Sequence, residues 1–398
     1  MKHDRRQFLL GGLQVSASLP LLGLLERRIL GQPVLDDGRA LVVVQLSGGN
    51  DGLNTVVPHQ QDAYYHARPT LALPRADLVP LDDEHGLHPA LKPLEPAWKE
   101  GELAVVHSVG YPRPDRSHFR SMEIWHTADP QGPVGDTGWM GRMADELARE
   151  RPGALSALHV GSGDLPLALA GRDYFAPTVR NASGFRLRDL PAPFAEERAR
   201  LLRARDDGSD LAYLREAART TYAAAERMTE LSGRESGAAY PDTELARRLR
   251  LVGQLLSGGF GSRVFHVALD GFDTHSRQAR THQTLLEELG GALGAFRRDL
   301  AAQGASERVL VLVFSEFGRR VQENGSRGTD HGAGAPLFVL GPGVRGGLHG
   351  TPPDLRRLEE GDVPHTTDFR SIYSAIERDW MQLRGSSSAV APLRGLLA

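Results

Sequence analysis

The sequence predicts an α/β fold, with a mostly parallel sheet covered by helices on both faces and a helical insertion. The first observation behind this is a set of short apolar runs: Leu41–Leu46, Leu103–His107, Arg263–Leu269, Val309–Phe314 and Leu337–Leu340. They are rich in β-branched residues and read as buried strands. The second is that amphipathic helical stretches alternate with them, an order that builds parallel sheets with both faces covered. The third is that the runs end in polar, glycine-bearing loops. In open α/β sheets ligands sit beyond the carboxyl ends of strands, so chemistry is expected there.

The chain of 398 residues can bury a large core. Its net charge of −3 and the lack of a basic, aromatic-interleaved run beyond the N-terminus exclude a nucleic-acid partner. With no cysteine, disulfides, thiolate nucleophiles and Cys-ligated metals are also excluded. A metal would have to be held by His, carboxylates and other oxygen donors, which favours Zn, Mn, Ca or Mg.

Residues 1–31 read as a twin-arginine signal segment: Arg5 and Arg6 precede Gln7, Phe8 and Leu9, and an apolar, glycine-bearing region follows to Leu25. A simple anchor or surface helix is the alternative. The stretch is too short and glycine-rich for a stable span, so the mature chain is expected to have no transmembrane helix. Removing five basic and two acidic residues would bring the mature charge near −6. The expected location is the periplasm or beyond, with the Tat translocase as a partner during export.

Residues 32–385 read as a single domain and 386–398 as a tail. The strand Leu41–Leu46 runs into Ser47, Gly48, Gly49, Asn50, Asp51 and Gly52, a site loop or an ordinary Asn-Asp-Gly turn. His85 and His88 are three apart but read as a loop and helix start. After Leu103–His107, Arg116, Ser117 and His118 open a helix whose Phe119, Met122 and Trp125 share a face. Ser117 suits an N-cap and a nucleophile equally, since a helix N-terminus stabilises anionic charge. Thr137–Arg142 opens another helix. Residues 155–195 read as short strands and turns. The helical insertion spans about 196–256, with stripes at Leu211, Leu214, Ala218, Ala225 and Met228, then at Leu245, Leu249, Val252 and Leu256.

Two carboxylates and an imidazole, Asp270, Asp273 and His275, lie within six residues at the end of the strand Arg263–Leu269. Metal ligation is the favoured reading. Leu285, Leu289, Leu293, Phe296 and Leu300 mark the long helix that follows. Glu316 directly follows the most apolar strand, as a site carboxylate or as a partner of Arg319 or Arg320. Asp330 and His331 sit side by side in a glycine-rich loop, with His331 the better ligand and Asp330 a group that orients it. A final helix after Asp368 buries Ile372, Ile376, Trp380 and Leu383.

Together the twin-arginine start, Leu46–Asn54, Arg116–Phe119, Thr137–Arg142, Asp270–His275, Ser315–Arg319 and Thr329–Gly332 resemble the DUF1501 family, exported bacterial proteins related to the alkaline phosphatase and sulfatase superfamily. The resemblance runs from about Leu41 to Leu383. It implies an alkaline-phosphatase-like three-layer fold and a hydrolase of phosphate or sulfate esters that uses one or two divalent metal ions. It matches Asp51 to a strand-end metal ligand, Ser117 to the nucleophile, with Thr55 as the other hydroxyl, and Asp270 or Asp273 with His275 to the second ligand group. Ser315 and Glu316 fall where an Asp-His pair is usual, and His331, beside Asp330, falls near the last His. Arg116, Asn50 or His118 would then hold the oxygens of an anionic small-molecule or glycan ester. The formylglycine route is closed, because cysteine is absent and 111–117 contains no Ser-x-Pro-x-Arg. The departure at Glu316 motivates the alternative, a non-catalytic glycan- or protein-binding protein with a degenerate site. A nucleophile-elbow hydrolase is disfavoured by the lack of G-x-S-x-G.

Overall fold

The computed structural model describes residues 38–132, 135–151, 154–181, 196–197, 200, 210–385 and 389–398. The signal segment expected at 1–31 lies outside them, as do the side chains of Leu211 and Leu214.

The centre is a nine-stranded sheet. Its strands are β1 (Ala40–Ser47), β2 (Leu103–Gly110), β3 (Ala157–Val160), β4 (Thr178–Val179), β5 (Val264–Asp270), β6 (Val309–Ser315), β7 (Ala335–Leu340), β8 (Gly347–His349) and β9 (Thr367–Asp368). The order across the sheet is β8-β2-β7-β6-β1-β5-β3-β4, with β9 also beside β2. Every pairing is parallel except those of β7, which runs antiparallel to β6 and β2. The mostly parallel sheet expected from the hydropathy pattern is thus present. A small antiparallel sheet joins Val56–Val57, Gly86–Leu87 and Val79–Pro80.

Period-two alternation divides the core. Along β1, Val42, Val44 and Leu46 face one apolar layer with Leu249, Leu289 and Phe296, whereas Leu41 and Val43 face another with Trp125, Trp139 and Tyr373. The helices Glu244–Ser257 and Gln278–Ala302 supply the first layer; His118–Thr127, Trp139–Glu150 and Phe369–Ala375 supply the second. The predicted stripes at Leu245, Leu249, Val252 and Leu256 are buried there. Asp368 caps its helix by accepting from the Arg370 N–H at 2.9 Å.

This topology positions the site. The parallel strands β1, β2, β5 and β6 all finish at one edge, with Ser47 level with Asp270 and Leu46 level with Ser315. Because β7 runs the other way, the loop that leads into it, carrying Asp330 and His331, arrives at the same edge. Among the described residues no helix is long and apolar enough to cross a membrane.

Candidate metal centre

Three loops deliver four side chains to one point. Asp273 follows β5, His275 lies two residues on, His331 precedes β7, and His118 is the first residue of the helix after β2. Asp273 Oδ1 lies 3.3 Å from His118 Nε2, 3.1 Å from His331 Nε2 and 3.0 Å from His275 Nε2. The two nitrogens His275 Nε2 and His331 Nε2 are 2.9 Å apart.

The outward side of each imidazole settles its tautomer. His118 Nδ1 faces Glu316 Oε1 at 2.8 Å, His275 Nδ1 faces Asp330 Oδ1 at 3.1 Å, and His331 Nδ1 faces the Arg116 carbonyl at 2.7 Å. An ionised carboxylate or a carbonyl can only accept, so each Nδ1 carries the proton and donates it. In the neutral rings each Nε2 then points a lone pair at a carboxylate oxygen and at its neighbours. Three lone pairs and a carboxylate repel unless a cation or extra protons lie between them. His118 Nε2 is buried and has no hydrogen-bond partner. Ligand atoms each about 2.0–2.2 Å from one ion lie roughly 3–3.5 Å apart, so the spacing fits a small divalent metal. His118, Asp273 and His331 offer ligand atoms within 4.8 Å of one another.

The surroundings explain how the cluster is held. Glu316 is buried and both its oxygens are engaged: Gly48 N–H donates to Oε1 at 2.8 Å and the Ser315 hydroxyl to Oε2 at 3.1 Å. Its hydrogen bond raises the His118 pKa against the lowering effect of burial. Arg319, fully buried, donates to the carbonyls of Gly48, Gly49, Phe272 and Thr329 and to Asp273 Oδ1 at 2.8 Å. Burial would raise the Asp273 carboxyl, but the hydrogen bond and charge of Arg319 outweigh it and hold that pKa well below the usual range.

Several expected site residues lie elsewhere. Asp51 is buried outside the converging donors, where Arg68 Nη1 donates to its Oδ2 at 2.6 Å and Gln278 Nε2 donates to the same oxygen. Burial pushes the Asp51 carboxyl up, yet the charge and hydrogen bond of Arg68 hold it below its ordinary value. Arg68 spends its remaining donors on Asn54 Oδ1 and the carbonyls of Val321 and Arg320. A guanidinium therefore stands where the expectation for Asp51 put a metal. Asp270 is exposed and outside the converging donors. Glu316 orients His118 instead of joining the donors, and Asp330 orients His275, not its neighbour His331. The Arg116 guanidinium is bound to Asp362 at 2.6 Å and to Glu360, so it is not offered to an anion. Asn50 is buried and accepts from His282 Nε2 at 2.9 Å, and Thr55 is buried against it.

Ser117 is the N-cap of its helix, but its side chain makes no capping bond and it is exposed. It sits between Arg116, whose carbonyl holds His331, and His118. Sequence reasoning gave His118 a catalytic role and missed it as a donor; the signal was its place in an Arg-Ser-His-Phe run directly after a strand loop. Arg68 carried no local signal, because its partner lies 17 residues away, and Arg319, expected as a partner of Glu316, binds Asp273, 46 residues away.

A family model described as "Protein of unknown function (DUF1501)" matches residues 38–391. No curated protein matches the chain in sequence. Solved structures similar to it include the PsFucS1 sulfatase from Pseudoalteromonas sp., at 11% identity over 94% of this chain and 73% of that one, with a TM-score of 0.39. Another is the lipoteichoic acid synthase LtaP from Listeria monocytogenes, at 10% identity over 90% and 74%, TM-score 0.38. An alkaline phosphatase from the Antarctic bacterium TAB5 aligns at 12% identity over 79% and 95%, TM-score 0.33.

Proposed function

The chain belongs to the DUF1501 family, and from that premise we propose an exported hydrolase of phosphate or sulfate esters that depends on one divalent metal. The observation that carries this reading is the convergence of three imidazole Nε2 lone pairs on Asp273 Oδ1, beside an open cleft. His118, His331 and Asp273 would hold the ion, with His275 beside them; nitrogen and oxygen donors suit Zn or Mn. When bound, such an ion polarises an ester and lowers the pKa of an attacking hydroxyl.

The chain's own groups divide the remaining work. Ser117 brings an exposed hydroxyl to the start of the helix His118–Thr127, where the unpaired N–H groups favour negative charge. Glu316 locks the His118 ring through Nδ1, a carboxylate–histidine arrangement that fixes ring orientation and tautomer. Arg319 holds Asp273 ionised. Export by the twin-arginine pathway to the periplasm is supported by Arg5 and Arg6 and by the apolar region behind them.

Elemental analysis of the purified chain, with 4-nitrophenyl phosphate and sulfate as substrates, tests the proposal. One equivalent of divalent metal per chain and metal-dependent turnover are expected. Asp273→Ala and His331→Ala should each lower both by about 10²-fold or more, whereas Asp51→Asn should leave the metal content unchanged. Full activity in Ser117→Ala would remove Ser117 from the nucleophile role. The Asp51–Arg68 pair also favours a second reading, a binding protein whose site has lost a metal position. Protein that stays metal-free and melts unchanged after Asp273→Ala would establish that reading instead.

A further inference from the structure

The open cleft beside the cluster offers about 480 Å³, and its wall is largely carbon: Phe119, Met122 and Leu167 line it together with His118, Asp273 and Glu316. Phe119, Met122 and His126 fall at i, i+3 and i+7, so one stripe of the helix His118–Thr127 forms that wall, and Leu167 comes from a separate segment. Phe119 is 90% exposed, whereas the other exposed large hydrophobics among the described residues, Phe175 and Leu358, reach only 39% and 37%. A phenyl ring left in water directly next to a metal donor is incompletely used by the fold.

Continuity with the site decides what covers it. The ring and the donors border one concave space, so a group resting on Phe119 has its other end at Asp273 and His118. An apolar wall that ends at a few convergent polar groups is the build of a small-molecule site. Resting on the ester-hydrolase reading, we propose that the organic part of the ester is apolar, an aryl or alkyl group that lies on Phe119 and Met122 while the phosphate or sulfate reaches the donor cluster. Hydrolysis would consume one water and release the phenol or alcohol and the inorganic anion. Phe119 is then a specificity residue: it touches the group that leaves, not the reacting atoms.

The test compares 2-naphthyl phosphate and sulfate with glucose 6-phosphate and 6-sulfate, using metal-loaded wild type and Phe119→Ser. Calorimetric binding of the non-hydrolysable 1-naphthylphosphonate runs in parallel. Wild type should prefer the naphthyl esters in kcat/KM, and Phe119→Ser should cut that preference, and the phosphonate affinity, about tenfold. Because Phe119 is exposed, the variant should melt as wild type does, which separates lost contact from lost fold. Equal preference in both proteins, with unchanged phosphonate binding, would overturn the inference while leaving a hydrolase intact. Phe119-dependent phosphonate binding without turnover of any ester would uphold it and overturn the hydrolase. Self-association that depends on Phe119, with no Phe119-dependent phosphonate binding, would also overturn it by assigning the ring to a contact between copies.

Discussion

At the scale of single residues, Asp51 shows how a charge in the interior is kept. Its partner Arg68 is as buried as it is, and together they form a closed pair in which the arginine does what a divalent ion would do in a metal site. Breaking one side leaves an uncompensated charge. Arg68→Met should lower the unfolding free energy by about 3–5 kcal/mol, read from chemical denaturation. Asp51→Asn keeps a hydrogen-bond acceptor and should cost less than Arg68→Met. Equal losses would show that the pair's charge contributes little. Nothing at position 51 distinguishes a ligand from half of an ion pair, because the deciding residue, Arg68, lies 17 residues on, at the end of the helix Asp62–Ala67.

At the scale of elements, the strand-end loops were legible because hydropathy marks where a buried strand stops. Asp273 and His275 were singled out on that basis and His331 by its place beside Asp330 in a glycine-rich loop, and all three meet in the cluster. Strand polarity is not written in hydropathy, so the reversed direction of β7, which brings the Asp330–His331 loop to the same edge, was not visible. The loop after β1 contributes through backbone more than side chains. Gly48 has φ +118°, and a Cβ there would lie 2.4 Å from the Asp273 N. It also donates its N–H to Glu316, the residue that orients His118. Gly48→Ala should therefore push apart the loops after β1 and β5 and weaken metal binding about 10–100-fold. Titration with Zn²⁺ against a competing chelator measures this, and unchanged affinity would show that the loops adjust without moving Asp273.

At the scale of the whole molecule, the fold buries several imidazoles, His107, His126 and His159 among them. Burial lowers the pKa of His107, His126 and His159 to about 4. These rings are neutral in the folded chain, whereas in the unfolded chain they take up protons near pH 6.5. The unfolded state thus binds more protons between pH 6.5 and 4, and stability falls as pH drops through that window. Urea unfolding should be nearly flat with pH above about 7 and lose several kcal/mol in total by pH 4. A flat profile across the window would mean that these rings are hydrated in solution.

Arg319 has a consequence for how the protein breathes. One guanidinium ties the carbonyls of Gly48, Gly49, Phe272 and Thr329, which belong to three separate loops. None of those loops can detach without releasing the same side chain, so their openings are coupled into one sub-global event. The candidate donors carried by two of these loops, Asp273, His275 and His331, are then expected to share a single lifetime, whereas His118, held through Glu316, stays behind when they part.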